Sequence, residues 1–406
     1  MMNNHEFNRQ GTQTETTLCK PRVGAVTELC GISVPVFQAA MAGLSGPALV
    51  AAVSNAGGLG NLGALRVLPK TLRGWIHETR RLTDKPFGVN LVPQYGGPDF
   101  FEAAFKVVLD EKPKVLSLFY GDFEDIISRA KDVGIVTMVQ VGSLSEARKA
   151  VRDGADILIA QGIESGGHIR GRVGLTALLP AVVDVAGGLP VLAAGAIGDT
   201  RAVRAARCLG ASGVWCGTAF LTATECDAHE AYKQKLLDAD TDAPKFLTGY
   251  SYGWKYGTPH RSIIGKGGWN LLRFMGGGIR KVDDPKMADK LSLYAGQGIG
   301  QSKKMLPASV IVKNLAQGFC DATGSTRSSD RSVTPSVKYL SNGAKEDIMH
   351  CIMQDRASGM SIEQLSRKYE IAPSDIAGLE GLESTMPILD PDRLTEVEGR
   401  FRQLPA

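Results

Sequence analysis

The sequence has no apolar run that approaches the roughly 20 residues of a membrane span. Its first stretch, MMNNHEFNRQGTQTETTLCK, lacks the apolar core of a signal peptide. The formal net charge of +4 is small and spread along the chain, which argues against a nucleic-acid partner. These absences predict a cytoplasmic protein that works neither in a membrane nor on nucleic acid.

Paired cysteines are also missing. The seven cysteines are odd in number and contain no CxxC pair, so neither a disulfide framework nor a zinc site is expected, and we predict no metal. Glycine, in contrast, is abundant: the chain has 48, whereas average usage is about 7%. Such an excess suits a fold with many tight turns, or one whose backbone closely approaches a ligand.

Short apolar runs alternate with helical patterns over the first half of the chain. The eight runs are 34–41, 57–64, 86–92, 115–119, 135–141, 156–162, 190–196 and 213–220. Helical periodicity marks seven stretches between them: 47–54, 68–81, 100–109, 123–131, 143–152, 175–185 and 200–208. The runs are continuous rather than alternating, as expected of strands that are covered on both faces. The pattern predicts a (β/α)₈ TIM barrel, with a doubly wound sheet as the alternative.

The rest of the chain departs from this rhythm. We assign 1–222 to the barrel and 223–285, with its aromatic and Gly-rich segment TGYSYGWKYGTPHR, to an inserted substrate-covering domain. Residues 286–320 predict a helical segment that closes the barrel. After a polar linker, 336–406 reads as a helical C-terminal tail.

The tail contains SIEQLSRKYEIAPSDIAGL, which could pass for a helix-turn-helix. Residues 336–406 hold 8 Lys and Arg against 12 Asp and Glu, and this net negative charge would repel phosphate. Packing or homo-oligomer formation is therefore the better prediction for the tail.

Gly58-Leu-Gly-Asn-Leu-Gly63 satisfies GxGxxG, the dinucleotide-binding pattern. That pattern requires a strand before the glycines and a helix after them. Here the glycines follow a helical stretch and form an apolar run themselves. We therefore predict a glycine-rich strand close to a flat ligand rather than a Rossmann site.

Two loops are placed to bind phosphate. AAGAIGDT (193–200) ends the seventh run and opens a helix, and GTAF (217–220) ends the eighth. In barrels the loops after these two strands commonly bind phosphate through backbone N–H groups and a helix N-terminus. Gly195 would let the backbone approach the anion, while Gly217 and Thr218 would donate hydrogen bonds.

Polar side chains end three other runs. Asn90, Gln140 and Gln161 could hydrogen-bond the edge of a heteroaromatic ring, although amides also satisfy loop backbone. Together with a phosphate site they suggest flavin mononucleotide (FMN). His168 follows the sixth run among glycines, and an ordinary imidazole accepts a proton near neutral pH. It is the candidate base, and His260 in the insertion could also line the pocket.

These residues resemble the nitronate monooxygenase family of FMN-dependent barrels, over about residues 28–317. The segments that carry the resemblance are PVFQAAMAG, AAVSNAGGLGNLGA, PFGVNL, AQGIESGGHIRG, PVLAAGAIGD and GVWCGTAF. The resemblance implies oxidation of nitronates or nitroalkanes with O₂ to carbonyl compounds and nitrite, with His168 as the catalytic base. It implies a cofactor site made of Met41, Asn90, Gln140, Gln161, Gly166, Gly167, Gly195, Trp215, Cys216, Gly217 and Thr218.

The sequence departs from the family pattern in places. Ala196 stands where a further glycine is usual, and Trp215-Cys216 replaces the usual pair before Gly-Thr. The flavin-dependent enoyl-acyl-carrier-protein reductases share the barrel, FMN and a similar histidine loop, but use NADH and commonly have Glu in place of Gln161. A barrel that binds flavin without catalysis is the third hypothesis.

Overall fold

The computed structural model describes residues 23–248, 254–265, 276–320 and 359–369. The chain divides into two compact units, Met1–Asp321 and Ala322–Ala406. Predictions for the 321–335 linker, and for the tail apart from 359–369, lie outside the described residues.

Eight parallel strands form the barrel of the first unit. They are β1 (Val36–Gln38), β2 (Gly60–Gly63), β3 (Phe87–Leu91), β4 (Val115–Leu118), β5 (Val136–Val141), β6 (Ile157–Gln161), β8 (Val191–Ala194) and β9 (Gly213–Cys216), while the two-residue β7 (Gly167–His168) belongs to a second sheet. The hydrogen-bonded order is β1-β9-β8-β6-β5-β4-β3-β2, and a parallel bridge from Phe37 to Leu59 joins the two ends. All eight predicted runs contain a strand, which confirms the (β/α)₈ barrel. The last run is strand only to Cys216.

Helices cover the outside of the barrel. They are α1 (Val23–Cys30), α2 (Pro47–Asn55), α3 (Pro69–Leu82), α4 (Pro98–Glu111), α5 (Glu124–Asp132), α6 (Leu144–Arg152), α7 (Leu175–Val185), α8 (Thr200–Cys208) and α9 (Thr218–Leu221). Three of these helices begin with proline, whose fixed φ suits the first helical position and whose missing N–H costs nothing there. At α6, Ser143 Oγ accepts the N–H of Glu146, and the Glu146 carboxylate accepts the N–H of Gly142.

The barrel has two apolar layers. Alternate strand residues point inward, and the interior cluster includes Phe37, Leu59 and Met138. Val26 and Cys30 of α1 join this cluster, so the first helix packs against the barrel interior. The other strand residues pack against the surrounding helices.

The GxGxxG glycines serve packing. A Cβ on Gly58 would lie 2.5 Å from the Val36 carbonyl oxygen, and one on Gly60 would lie 2.3 Å from the Val50 carbonyl oxygen in α2. Only glycine allows such close approach of backbone to strand. Gly63 does line the cavity described below, so the predicted proximity to a ligand applies to the last glycine alone.

A second sheet covers the carboxyl side of the barrel. Its strands are β10 (Pro244–Leu247), β11 (His260–Ile263), β12 (Gly276–Gly277) and β13 (Ser292–Tyr294), and β7 pairs with β11. The remaining helices of this unit are α10 (Glu230–Asp238), α11 (Met287–Lys290), a 3₁₀ turn (Gln297–Gln301) and α12 (Ala308–Ala316). The prediction of a helical 286–320 is therefore wrong for β13, which joins this sheet. Helix α12 packs against α2 and α8, as a barrel-closing helix should.

The described part of the second unit is one helix, α13 (Ile362–Tyr369). Ser361 Oγ accepts the N–H of Gln364, and Gln364 Oε1 accepts the N–H of Ser361. This reciprocal pair is a capping box. None of the described helices in either unit is long and apolar enough to cross a membrane.

Candidate active site

A cavity of about 760 Å³ lies at the carboxyl ends of the barrel strands. Ligand pockets in proteins commonly measure about 300–1,000 Å³. The cavity lining includes His168 and all eleven predicted cofactor residues: Met41, Asn90, Gln140, Gln161, Gly166, Gly167, Gly195, Trp215, Cys216, Gly217 and Thr218. The twelve come from six separate chain segments, so the fold brings together what the sequence keeps apart.

His168 lies where the barrel meets the second sheet. It belongs to β7 and pairs across the strands with His260 of β11. Its Nε2 is buried and makes no hydrogen bond to the described residues. Burial, followed by the nearby His260 and Arg66, holds the pKa of His168 well below its ordinary value of 6.5. The imidazole is therefore neutral at physiological pH and able to accept a proton.

Gln161 fixes the loop that carries this histidine. Its Nε2 donates to the His168 carbonyl oxygen (2.9 Å), and its Oε1 accepts the Arg170 N–H (2.8 Å). The amide thus satisfies loop backbone, the alternative that sequence analysis left open. Gln161 lines the cavity, but its described hydrogen bonds position His168.

Tyr120 supports the same loop from another strand end. Its hydroxyl donates to the Ile169 carbonyl oxygen (2.9 Å), and the Arg170 guanidinium lies 4.7 Å from its ring centroid. Burial raises the pKa of Tyr120 to about 12. The phenol therefore stays protonated and remains a donor to the loop.

The other two amides are arranged differently. Asn90 Nδ2 donates to the carbonyl oxygen and hydroxyl of Ser117, at 3.0 and 3.1 Å. The Gln140 amide makes no hydrogen bond to the described residues. Among the described residues, Gln140 thus leaves both of its hydrogen-bonding groups for a ligand, and Asn90 leaves its Oδ1.

The predicted phosphate end of the cavity needs one correction. The N-terminus of α8 was expected to face an anion, but the Asp199 carboxylate accepts the N–H groups of Arg201 and Ala202 at 2.9 and 3.0 Å. The Gly198 N–H donates to Gln301 Oε1 (2.7 Å). The first turn of α8 is thus already capped by the chain itself.

Ser165 is a site residue that sequence reasoning missed. Its buried Oγ has no hydrogen-bond partner among the described residues and lines the cavity. A Cβ on Gly195 would lie 2.9 Å from this oxygen, so a side chain there would block it. An unsatisfied buried hydroxyl is costly unless a ligand or water meets it. In the sequence, the signal that could have identified Ser165 was its polar side chain next to Gly166.

Glycine occupies the predicted cofactor positions of the cavity for different structural reasons. A Cβ on Gly166 would lie 2.3 Å from the Gly296 nitrogen, whereas Gly167 has a left-handed φ of 67°. At Gly217 the nearest atom to a Cβ would be 3.6 Å away, which is ordinary contact. Of the four predicted cofactor glycines, Gly217 is therefore the one that the surrounding chain does not itself require.

The second sheet side supplies three aromatic rings that the sequence did not single out as a group. The Trp254 ring stacks on His168, with centroids 3.8 Å apart and planes 22° apart. His260 lies 5.9 Å and Tyr294 5.4 Å from the His168 ring. His260 Nε2 is buried without a partner among the described residues, and burial lowers its pKa. These rings shield the imidazole from water.

Charge in the described cavity lining has one sign. Arg66 and Arg280 are the charged lining residues, and no Asp or Glu is among them. In the described part of the chain, no group of three His, Cys, Asp or Glu side chains is placed to hold a metal ion. The cavity therefore favours an anionic ligand.

Comparison with known proteins agrees with this geometry. The family model described as "Nitronate monooxygenase" matches residues 24–104 and 93–266. A nitronate monooxygenase of Pseudomonas aeruginosa is 32% identical over 72% of this chain and 97% of its own length. The solved nitroalkane oxidase of Streptomyces ansochromogenes has a TM-score of 0.62 and 30% identity, over 73% of this chain and 99% of that one.

A second kind of relative is also similar. The (3aS,4S,5R,7aS)-5-hydroxy-7a-methyl-1-oxo-octahydro-1H-indene-4-carboxyl-CoA dehydrogenase of Mycobacterium tuberculosis is 40% identical over 242 residues. That match covers 59% of this chain and 65% of the relative, so this chain spans about two thirds of that protein's length. The family match over most of the chain and the similarity to the Pseudomonas aeruginosa enzyme agree with the barrel fold. The chain therefore belongs to the nitronate monooxygenase family.

Proposed function

We propose that this protein is an FMN-dependent oxidoreductase that uses O₂ to oxidise nitronates or nitroalkanes to carbonyl compounds and nitrite. The observation that carries the proposal is the neutral His168, whose buried Nε2 has no described partner inside a ligand-sized cavity. Family membership and the similarity to a solved nitroalkane oxidase support the same chemistry.

The cavity residues fit a flavin. Gly217 leaves room for close approach, and the buried Ser165 Oγ lacks a partner beside Gly195 among the described residues. We assign the phosphate to Ser165, Gly195, Gly217 and Thr218, and the ring edge to Asn90 and Gln140. The Thr218 hydroxyl already accepts the Gly296 N–H (3.0 Å) and keeps its own proton to donate. When bound, the flavin supplies the electron acceptor.

The chain's own residues handle the proton. His168 takes the α-proton of a nitroalkane onto Nε2, because burial keeps this imidazole in its neutral form. Gln161 holds the backbone on either side of the ring, and Trp254 covers one ring face. A preformed nitronate has already lost this proton and does not need the base. We propose that 223–285 covers the substrate, since Trp254 and His260 both come from it.

Two other activities are the alternatives. One is reduction or dehydrogenation of an acyl thioester, as in an NADH-dependent enoyl-acyl-carrier-protein reductase, which the 40% identity to a CoA-thioester dehydrogenase favours. The other is a flavin-binding scaffold without catalysis. A scaffold gives no reason to keep an imidazole buried and unpaired, because such a group costs stability.

The deciding experiment uses the purified full chain with its flavin. FMN should be released on denaturation and identified by chromatography. Oxidised holoprotein is then mixed without oxygen with propionate 3-nitronate and, separately, with NADH, and flavin absorbance is followed. Bleaching by the nitronate is expected. Bleaching by NADH alone would replace the proposal with the reductase, and bleaching by neither would contradict it.

A further inference from the structure

Trp254 has an indole N–H that the described chain leaves without an acceptor. Its Nε1 is buried and makes no hydrogen bond to the described residues. An indole nitrogen can only donate, and a buried donor without a partner loses its hydration with nothing in return. Native proteins keep few such groups, and an acceptor supplied by a ligand is one explanation for those they keep. The surroundings of the indole indicate which ligand group this is.

The indole lies directly beside the proposed base. Trp254 and His168 both line the cavity, and their rings stack with centroids 3.8 Å apart and planes 22° apart. The buried His168 Nε2 also has no described partner. Each of these nitrogens lies in the plane of its own ring, and the two planes are stacked. One small molecule can therefore meet both, with a C–H group at the imidazole and an oxygen at the indole.

Neighbouring rings hold the indole without using its N–H. The Tyr120 ring meets it edge to face, with centroids 5.1 Å apart, and the Tyr95 ring lies tilted at 6.3 Å. Such aromatic contacts favour one ring geometry and leave the N–H unbonded. The described cavity lining also contains no Asp or Glu, so no carboxylate of that lining competes for the donor. The N–H is thus positioned by packing alone.

We propose that Trp254 is a catalytic residue whose Nε1–H donates a hydrogen bond to the substrate oxygen that gains negative charge when His168 removes the α-proton. In a nitroalkane the C–H electron pair becomes the C=N double bond of the nitronate. The proton moves to His168 Nε2, and the charge moves onto the nitro oxygens. A preorganised donor at developing charge stabilises the transition state more than the ground state. This inference rests on the proposed function, because it adds a catalytic group to that same reaction.

The first test separates the N–H from the ring. Trp254→Phe keeps an aromatic ring beside His168 and removes the donor. Losing a hydrogen bond to a charged group typically costs roughly 10- to 100-fold. For 1-nitropropane we expect kcat to fall by that factor with KM nearly unchanged, because the charge appears only in the transition state. For preformed propyl-1-nitronate, whose oxygens are charged from the start, we expect KM to rise by that factor with kcat nearly unchanged.

A second tryptophan provides the matched control. Trp75 of α3 also lines the cavity, but its indole nitrogen is not among the buried atoms without a partner. Trp75→Phe should therefore leave both constants nearly unchanged on both substrates. A ring that only covers His168 predicts no exchange between kcat and KM, because Trp254→Phe retains the cover. Unchanged constants in Trp254→Phe, equal loss of kcat on both substrates, or losses that Trp75→Phe reproduces would overturn the proposal.

The second test does not depend on turnover. The indole N–H signal of Trp254 is followed by NMR in the ¹⁵N-labelled full-length holoprotein, and its loss in Trp254→Phe assigns it. Two neutral probes without an α-hydrogen are added separately: 2-methyl-2-nitropropane, which offers nitro oxygens, and S-ethyl 2,2-dimethylpropanethioate, which offers a thioester carbonyl. We expect the nitro compound to move the proton signal downfield, as a new hydrogen bond does.

The two probes separate this inference from the proposed function. A downfield shift with the thioester alone would keep Trp254 as the donor and contradict the nitroalkane reaction. A Trp254 signal that neither probe moves would overturn the inference, whichever reaction the enzyme catalyses.

Discussion

The barrel and the second sheet each supply one side of His168. On the barrel side, Gln161 at the end of β6 hydrogen-bonds the backbone of residues 168 and 170. On the other side, His260 pairs with His168 across the strands and Trp254 stacks on its ring. The barrel therefore fixes the position of the imidazole, while the second sheet limits its contact with water.

This difference follows from topology. A parallel βα unit places the residues at each strand end at the same rim, so their positions can be read from sequence order. The β7–β11 pairing joins residues about 90 positions apart through antiparallel hydrogen bonds, and such distant pairing leaves no local periodic signal. Variants on the two sides should consequently fail in different ways.

His168→Asn should produce the largest effect. Removal of a general base typically costs roughly 10²- to 10⁴-fold in rate, so kcat/KM for neutral nitroalkanes should fall by that amount. Turnover of preformed nitronates should fall much less, because they need no deprotonation. Flavin content, measured by absorbance, should be retained. Equal losses on both substrates would show that His168 does not act as the base.

Gln161→Leu tests the barrel side. It leaves the His168 carbonyl and the Arg170 N–H without their described partner, which should cost about 1–3 kcal/mol of unfolding free energy. Gln140→Leu is the matched control, since the Gln140 amide makes no hydrogen bond to the described chain. It should lower FMN affinity with little change in the urea midpoint. Comparable destabilisation by both variants would contradict the assignment of Gln161 to the loop and of Gln140 to the ligand.

Trp254→Ala tests the second-sheet side. Burial is the largest cause of the lowered His168 pKa, and removing the indole admits water, so the pKa should rise toward 6.5. Because the base must be neutral, the acid limb of the kcat/KM profile should then move to higher pH. Trp254→Phe, which retains a ring, should shift the limb less. Superimposable acid limbs for wild type and Trp254→Ala would refute the role of the stack.

Sequence analysis predicted the barrel well because each strand repeats the same buried apolar pattern. It failed at β13, where three residues in the apolar sequence LSLY are too few to distinguish a strand from a helix. It also could not tell that the Gln161 amide would face its own loop, because that depends on how residues 167–170 fold back. The cap on α8 was readable in principle, since Asp199 is a preferred N-cap residue.

Ala196 offers the smallest expected effect, in the barrel loop next to Gly195. Its φ of 53° is left-handed, and this costs a non-glycine residue roughly 1–2 kcal/mol. Replacement by glycine removes this cost, but the greater freedom of glycine in the unfolded chain cancels part of the gain. Ala196→Gly should therefore stabilise the protein by about 0.5–1 kcal/mol. Ala205→Gly, at an exposed position within α8, is the matched control and should cost about 1 kcal/mol. The urea midpoints of the two variants should therefore move in opposite directions. If both midpoints fell, the backbone at 196 would not be strained, and Gly298 of the 3₁₀ turn, which packs against Ala196, would determine the conformation of that loop instead.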